Sequence, residues 1–555
     1  MSHRLASIAV LLTLAACSSG STNPTPPPPP PPTVASVTIA PSPATVLVGA
    51  TTTLVATPRN SSGDPISATI TTWSTSNAAI ANVNANGVVT GVTVGGPVTI
   101  TASAGSVSGS VQVTVSALPV ATVEVTPGTN TIDVAATAQL TAVTKATGGA
   151  VLTGRSVTWS SDNAAVASVS GTGLVTGVTA GTTTIRATSE GKVGTAAVTV
   201  NVPAPTVVSL AIGGYHSCAL MNTGAAYCWG VNFEGRIGDG SIVNRLVPVP
   251  VSGGHSFKQL VAGILGTCGI DMSDVVRCWG SGDYGNMGNG VVAHLSTPGT
   301  VLPVGETMVQ VAPSRQEVST CALTMSAKVY CWGRDPSGVL TGSTTVATPT
   351  QLPLGATPAL ADIGVGNRFG CGRTAAGVTY CWGVNSAGQL GDGTTTLKAA
   401  PVLVGGGHTF TMVRTGGSHS CGLKANGTVW CWGANESGQL GDGSFSNRTT
   451  PVQAGTATDY TSIAVGIDQT CAIRANGSAW CWGFNFLGQL GDGTKIDRNT
   501  PTAVIGGKTF SKIAGGAMHT CGIATDGVYC WGGNGGQIGD GTTTERLTPT
   551  KVVGL

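Results

Sequence analysis

Residues 421–444 read CGLKANGTVWCWGANESGQLGDGS, and nearly the same line returns at 371–394 and 471–494. Asn426-Gly427 sits midway between Cys421 and Cys431, and such a dipeptide favours a tight hairpin turn. Strand, turn and strand then set the two cysteines opposite each other across an antiparallel pair, where Cβ separations suit a disulfide. Outward from this stretch the pattern recurs seven times: Cys218 with Cys228, Cys268 with Cys278, Cys321 with Cys331, Cys371 with Cys381, Cys421 with Cys431, Cys471 with Cys481 and Cys521 with Cys530. Partners are 10 residues apart, 9 in the last pair, and successive pairs lie 50 apart with one interval of 53. A period near 50 in strand-forming sequence predicts a β-propeller with one four-stranded blade per repeat. Zinc would require closely spaced ligand pairs and further ligands, which this spacing lacks. Fourteen cysteines in seven matched pairs predict seven disulfides in an exported chain.

Composition agrees with an all-β reading. The 555 residues allow several domains, and only 9% of them are charged, against roughly 25% in ordinary soluble proteins. The 82 glycines supply positive φ for tight turns, and the many Thr and Val residues suit pleated strands. Formal net charge is +2 with no basic run anywhere, so the counterion-displacing patch of a nucleic-acid binder is missing.

The amino terminus has a short basic start, an apolar stretch from Leu5 to Leu14, and then Ala15-Ala16-Cys17. This reads as a secretory signal over residues 1–16, too short to span a bilayer comfortably. Leu14-Ala15-Ala16-Cys17 resembles the lipobox of bacterial lipoproteins, which implies that Cys17 becomes the lipidated first residue of the mature chain. More than one acyl chain is needed for stable anchoring, and the lipoprotein modification supplies them. In diderm bacteria Ser18 after the cysteine implies sorting to the outer membrane. Residues 17–33 form a linker whose run from Pro26 to Pro32 predicts a stiff polyproline II spacer.

Residues 34–117 and 119–203 are two copies of one unit, offset by 86. Trp73-Ser74 aligns with Trp159-Ser160, and Gly87-Val88-Val89-Thr90-Gly91-Val92 with Gly173-Leu174-Val175-Thr176-Gly177-Val178. Alternation at Val111, Val113 and Val115, and at Val198 and Val200, predicts half-buried strands of β-sandwiches. Both copies resemble the bacterial immunoglobulin-like group 2 family, whose members commonly serve as spacers or adhesion modules on bacterial surfaces. Trp73 and Trp159 are expected to anchor the cores.

The second half of each repeat reads Cys-Trp-Gly-x-Asn-x-x-Gly-Gln-Leu-Gly-Asp-Gly-Thr, with Ser444 in the last place of one copy, and a proline follows every time. This pattern closely resembles the repeat of the regulator of chromosome condensation family and implies a seven-bladed propeller over 206–555. The cysteines are a systematic departure from the intracellular family and fit an oxidising space. The seven tryptophans from Trp229 to Trp531 are expected to pack between blades; the Gly-Trp-Arg-His-Thr motif of the plant ultraviolet-B receptor is absent. Asp239, Asp392, Asp442, Asp492 and Asp540, each between glycines, are expected to cap their own turns rather than bind calcium. His216, His419 and His519 share one slot in non-contiguous blades, which predicts local hydrogen bonding rather than a metal site.

Blade 3 breaks the pattern. Thr341-Gly342-Ser343 replaces Gly-Asp-Gly, and Ser314-Arg315-Gln316-Glu317 stands where other blades are glycine-rich. Such divergence marks a contact surface or simple decay of the repeat; Arg315 and Glu317 are the candidate binding residues. No zinc-protease helix motif, Gly-x-Ser-x-Gly elbow or phosphate loop is present, and no catalytic residue, metal or cofactor is expected. The expected architecture is all-β, two immunoglobulin-like β-sandwiches followed by a seven-bladed propeller. The expected role is a non-enzymatic, lipid-anchored surface protein that binds an extracellular protein or glycan, with no nucleic-acid partner. An inhibitor of a secreted enzyme such as a β-lactamase is the alternative, since one such inhibitor has this fold. Guanine-nucleotide exchange, the activity of the family's founding nuclear member, conflicts with export.

Overall fold

The computed structural model describes residues 33–316, 319–334, 345–355 and 357–555. Cys17, the proline run, Glu317 and Thr341-Gly342-Ser343 lie outside the described residues. The chain divides into two compact units, up to residue 203 and from residue 204.

The first unit holds the two sandwiches. In the first, Ala44–Leu47, Val107–Ser116, Gly95–Ala104 and Thr72–Thr75 form one sheet, in which Ala44–Leu47 runs parallel to its neighbour. Ser36–Ala40 pairs with Val55–Arg59, and Thr51–Thr53 joins Val88–Gly91 and Ala81–Val83. The predicted alternation has its physical cause here, because Val111, Val113 and Val115 turn into the core with Ile100 and Ala102 while their neighbours face solvent. The second sandwich repeats the arrangement, with Val198 and Val200 buried beside Ile185 and Ala187. Trp73 and Trp159 are half-buried and close the core edge over Gly87 and Gly173, where any side chain would collide with the indole.

The second unit is the propeller. Each of its seven sheets is built from four consecutive antiparallel strands, here called a to d from the axis outward. In blade 5 these are Met412–Thr415, His419–Leu423, Val429–Gly433 and Arg448–Gln453. Cys421 lies directly opposite Cys431 in the b–c register, and the same holds in all seven blades. Disulfides join Cys218 to Cys228, Cys268 to Cys278, Cys321 to Cys331 and Cys371 to Cys381 in blades 1 to 4. Cys421 to Cys431, Cys471 to Cys481 and Cys521 to Cys530 complete the set in blades 5 to 7. In every bridge the Cα atoms are 4.0–4.1 Å apart, the last one included, although Cys530 follows its partner by 9 residues instead of 10. The shorter turn of blade 7 removes one residue beyond the pair and leaves the facing register intact.

The core consists of seven layers between blades. Cys421, Cys431, Leu423 and Leu440 of blade 5 pack on Trp482, Tyr460 and Ile463 of blade 6, and the other junctions follow suit. Each disulfide thus abuts the tryptophan of the following blade, which is fully buried. The first glycine of Gly-Asp-Gly is required by this contact. Gly441 has φ +71°, and a Cβ there would lie 2.7 Å from Trp482 Nε1.

Blade 1 uses Val207–Ile212 as its strand a, and blade 7 ends with Arg546–Lys551 as its strand d, so no blade borrows a strand to close the ring. The seam is made by side chains and loops: Ser217 Oγ lies 2.7 Å from His519 Nε2, and Trp229 Nε1 donates to Gln537 O at 2.9 Å.

Candidate binding faces of the propeller

The a–b turns and c–d loops emerge at one end of the strands, tied together in blades 1, 2 and 4 to 7. In blade 5 Ala434 N donates to Ser418 O at 2.9 Å. The b–c turns and d–a connections form the opposite end.

The c–d loops owe their shape to one polar cluster. In blade 5 Asn435 Nδ2 donates to Asp442 Oδ1 (3.2 Å) and Ser444 O (3.1 Å), while Asn435 Oδ1 accepts from Leu440 N at 2.9 Å. Asp442 Oδ1 accepts from the amide (2.9 Å) and hydroxyl (2.7 Å) of Ser444, as an Asx turn does, and Arg448 Nε donates to Oδ2 at 2.8 Å. Burial pushes the Asp442 carboxyl up, but Ser444 and Arg448 outweigh it and hold the group below its ordinary value. Asp239, Asp492 and Asp540 sit in matching clusters with Arg245, Arg498 and Arg546, and Asp392 pairs with Lys398. The Gly-Asp-Gly aspartates therefore cap their own turns as predicted, with an asparagine and a cation added by the fold.

On this frame the variable loop positions carry exposed apolar side chains. Phe233 and Ile242 of blade 1 are 69% and 70% exposed, and Phe486 and Ile496 of blade 6 are 66% and 62% exposed. Tyr284, Val291 and Val292 of blade 2, Leu397 of blade 4 and Phe445 of blade 5 add to this apolar crown. Blades 1 and 2 lack the loop glutamine that in blades 4 to 7 accepts a loop amide, as Gln439 does from Ser437 N at 2.9 Å. Arg236 and Asn286 stand there instead, and the released loops turn through φ 61° at Glu234 and 63° at Tyr284. These crown residues escape a consensus reading because no single residue type runs through their slots in all the blades.

The axis is a channel of about 300 Å³ walled by strand a of all seven blades. Gln310 bridges blades 3 and 4, donating to Asp362 Oδ1 (2.8 Å) and accepting from Ile363 N (2.9 Å), and Arg414 of blade 5 reaches Asp362 Oδ2 at 3.1 Å. The divergent turn of blade 3 lies at the channel mouth. Ser314 Oγ donates to Gly366 O at 2.7 Å, and Arg315 crosses to the far wall, donating to Gly515 O of blade 7 (2.6 Å) and more weakly to Ile212 O of blade 1 (3.4 Å). Arg315 is crowded by protein on all sides yet keeps part of its surface toward the channel; burial, then the Arg414 charge, brings its pKa down to about 10. The structure thus turns this candidate binding residue inward as a brace, and it stays protonated at neutral pH.

His216, His419 and His519 are fully buried, and each Nε2 reaches a hydroxyl of the next blade: Thr267 (2.7 Å), Thr470 (2.9 Å) and Ser217 (2.7 Å). The predicted hydrogen bonding is present, but it links blades rather than staying within one. Burial, above all, drives these imidazoles far below the ordinary histidine range, to about 3 for His419 and His519. Among the described residues, Glu234, Asp283 and His294 place possible metal ligands within 4.8 Å of one another. Arg236 already faces Glu234 at 3.6 Å, which offsets part of that negative charge.

Seven stapled sheets and indoles interlocked with glycines define a disulfide-rich β-propeller, and its loops bear an apolar crown. Comparison with known proteins agrees. Residues 376–423, 426–473 and 476–523 match the regulator of chromosome condensation (RCC1) repeat, and 207–236 and 460–489 match a second description of that repeat. Residues 33–115 and 119–200 match the bacterial Ig-like domain (group 2). Among solved structures, Prp20p from Saccharomyces cerevisiae is 21% identical, with 56% of this chain and 80% of that chain covered at a TM-score of 0.50. Human WBSCR16 is 20% identical, with 61% and 91% covered at a TM-score of 0.52. Both are likenesses of fold. Ice-binding protein 1 of Shewanella frigidimarina is 35% identical over 187 residues, 32% of this chain, and the match spans about a fifth (21%) of that relative's length.

Proposed function

We propose that this chain is a non-enzymatic bacterial surface lipoprotein, anchored through Cys17, whose propeller binds an extracellular protein through its c–d loop face. The apolar crown carries the reading. Aromatic side chains such as Phe233, Tyr284, Phe445 and Phe486, set in a rigid polar frame, have the composition of interface anchors. The Leu14-Ala15-Ala16-Cys17 motif, the proline spacer and the two Ig-like domains supply a display stalk, and seven disulfides suit an extracellular setting. Ig-like and RCC1-type repeats are generally non-catalytic modules. Attachment in this reading is to lipid, through Cys17; among the described residues no helix is long and apolar enough to cross a membrane.

Two outcomes test it. Cell fractionation is expected to find the full chain with the membrane and a Cys17→Ala variant released; a variant that stays membrane-bound removes the anchor from the reading. In affinity capture of neighbouring-cell surface proteins, a Phe233→Ser/Phe486→Ser chain is expected to retain partners at least about tenfold less than the parent, as loss of interface anchors does. Equal retention by both chains would overturn the loop-face assignment. The same crown favours a second reading, inhibition of a secreted enzyme, which turnover by a β-lactamase with and without the added chain distinguishes.

A further inference from the structure

The end of the propeller opposite the crown carries a second, chemically different feature. In strand c the residue before the second cysteine is aromatic in six blades, and a residue of the preceding d–a connection can fold over it. In blade 5 the His408 ring lies 4.5 Å from the Trp430 ring, and Lys424 Nζ lies 4.2 Å from it. In blade 7 Lys508 Nζ lies 4.5 Å over Tyr529, held there by Asp526 at 2.7 Å. Blade 6 has Trp480 in the aromatic slot but Thr458 in the covering slot, and a threonine is too short to reach the ring. An open-sided pocket of about 570 Å³ stands in place of the cover.

The pocket walls are specific in their chemistry. Arg474 is held by Asp459, to which its Nε donates at 2.7 and 3.0 Å, and its guanidinium carbon lies over the Trp480 ring, 5.3 Å from the ring centre. Blades 5 and 7 have Thr409 and Thr509 at the Asp459 position, so this carboxylate is peculiar to blade 6. Trp480 Nε1 is already used, donating to Ser478 Oγ at 3.2 Å, which leaves ring carbon as the pocket wall. Thr456 and Thr458 line the rim.

We propose that this pocket binds a neutral hexopyranose unit of a glycan. A pyranose has an apolar C–H face to lie on the Trp480 ring and vicinal hydroxyls that both donate to a carboxylate and accept from a guanidinium. An anionic ligand fits less well, because Asp459 already neutralises Arg474. A purely apolar ligand would leave the carboxylate and the threonine hydroxyls desolvated without partners. The inference does not rest on the loop-face reading, since the two surfaces lie at opposite ends of the strands.

The test is saturation-transfer NMR and titration calorimetry on the full chain with methyl β-glucopyranoside, methyl β-galactopyranoside and methyl α-mannopyranoside. At least one is expected to bind saturably at millimolar concentration. Thr458→His, which restores the cover that blade 5 carries, is expected to weaken binding about tenfold without lowering the melting temperature, and Trp480→Ala to do so at least as much. Trp430→Ala, at a ring already covered, and Phe233→Ser/Phe486→Ser, on the other face, are expected to leave binding unchanged. Absence of saturable binding for all three glycosides overturns the proposal, as does full binding by Thr458→His.

Discussion

Full reduction of the disulfides is expected to lower the propeller's thermal midpoint by more than about 20 °C, while the transition of the cysteine-free Ig-like domains stays in place. Each staple closes a hairpin loop of 10 residues, or 9 in blade 7, for which chain entropy gives roughly 2–3 kcal/mol, less where the hairpin is already populated in the unfolded chain. Seven such terms together rival the 5–15 kcal/mol by which a typical domain is stable. The sulfurs are also core atoms. Cys421 and Cys431 are 0% exposed and pack against Trp482, so a reductant reaches them only when a blade opens. Reduction in native buffer should therefore be slow and should accelerate steeply with denaturant. Calorimetry after denaturing reduction, thiol counting and refolding measures the effect. A propeller transition unmoved with fourteen free thiols would mean that the staples are ornamental to stability.

The second large effect is expected from acid. His216, His419 and His519 are neutral in the folded state, with pKa values far below 6.5, and they regain ordinary values when the chain unfolds. Between those two values the unfolded chain binds protons that the folded chain refuses, so stability falls as pH drops from about 6.5 toward 3. Two pH units below the unfolded pKa this is on the order of 3 kcal/mol each for His419 and His519, and His216 acts in the same direction. Blade 6 already contains the control, because Gln469 fills the same slot and its Nε2 donates to Gly516 O at 3.0 Å. A His216→Gln/His419→Gln/His519→Gln chain is expected to hold its melting temperature from pH 6.5 to about 4.5 while the parent loses more than about 5 °C. Below about pH 4 both chains should weaken together, since the lowered aspartates of the c–d loops then take up protons. Parallel curves throughout would place the acid response elsewhere.

What could be read in advance follows the distance over which each feature is made. The b–c hairpin is local: Asn426-Gly427 turns the chain, and Cys421 meets Cys431 ten residues away, so spacing alone predicts the pairing. Burial of the indoles was likewise legible, because a large apolar residue recurring in every blade has only the interblade layer to occupy. The histidines show the limit. Their slot was plain, but the partner of His519 is Ser217, 302 residues earlier, and only ring closure brings the two together. Arg315 shows it again. A charged residue in a divergent turn reads as surface, yet two extra residues in that turn let the side chain span the axis to Gly515. The crown and the Trp480 pocket depend on residues particular to individual blades, such as Tyr284 and Phe445 in the crown and the short Thr458 at the pocket. A reading that seeks what the repeats share passes over both.

Because no blade borrows a strand, the joint between blade 7 and blade 1 is of the same kind as the six others. Gly536 rests against Arg245 across that seam as Gly438 rests against Asn499 within the ring. The circle has no privileged opening, so new termini cut into any d–a connection would leave every sheet and every staple whole. Heredity can handle such a molecule in whole blades. A repeat copied, exchanged or altered at one station leaves its neighbours' hairpins and sulfur bonds untouched, and recognition can diversify blade by blade while the chassis stays constant.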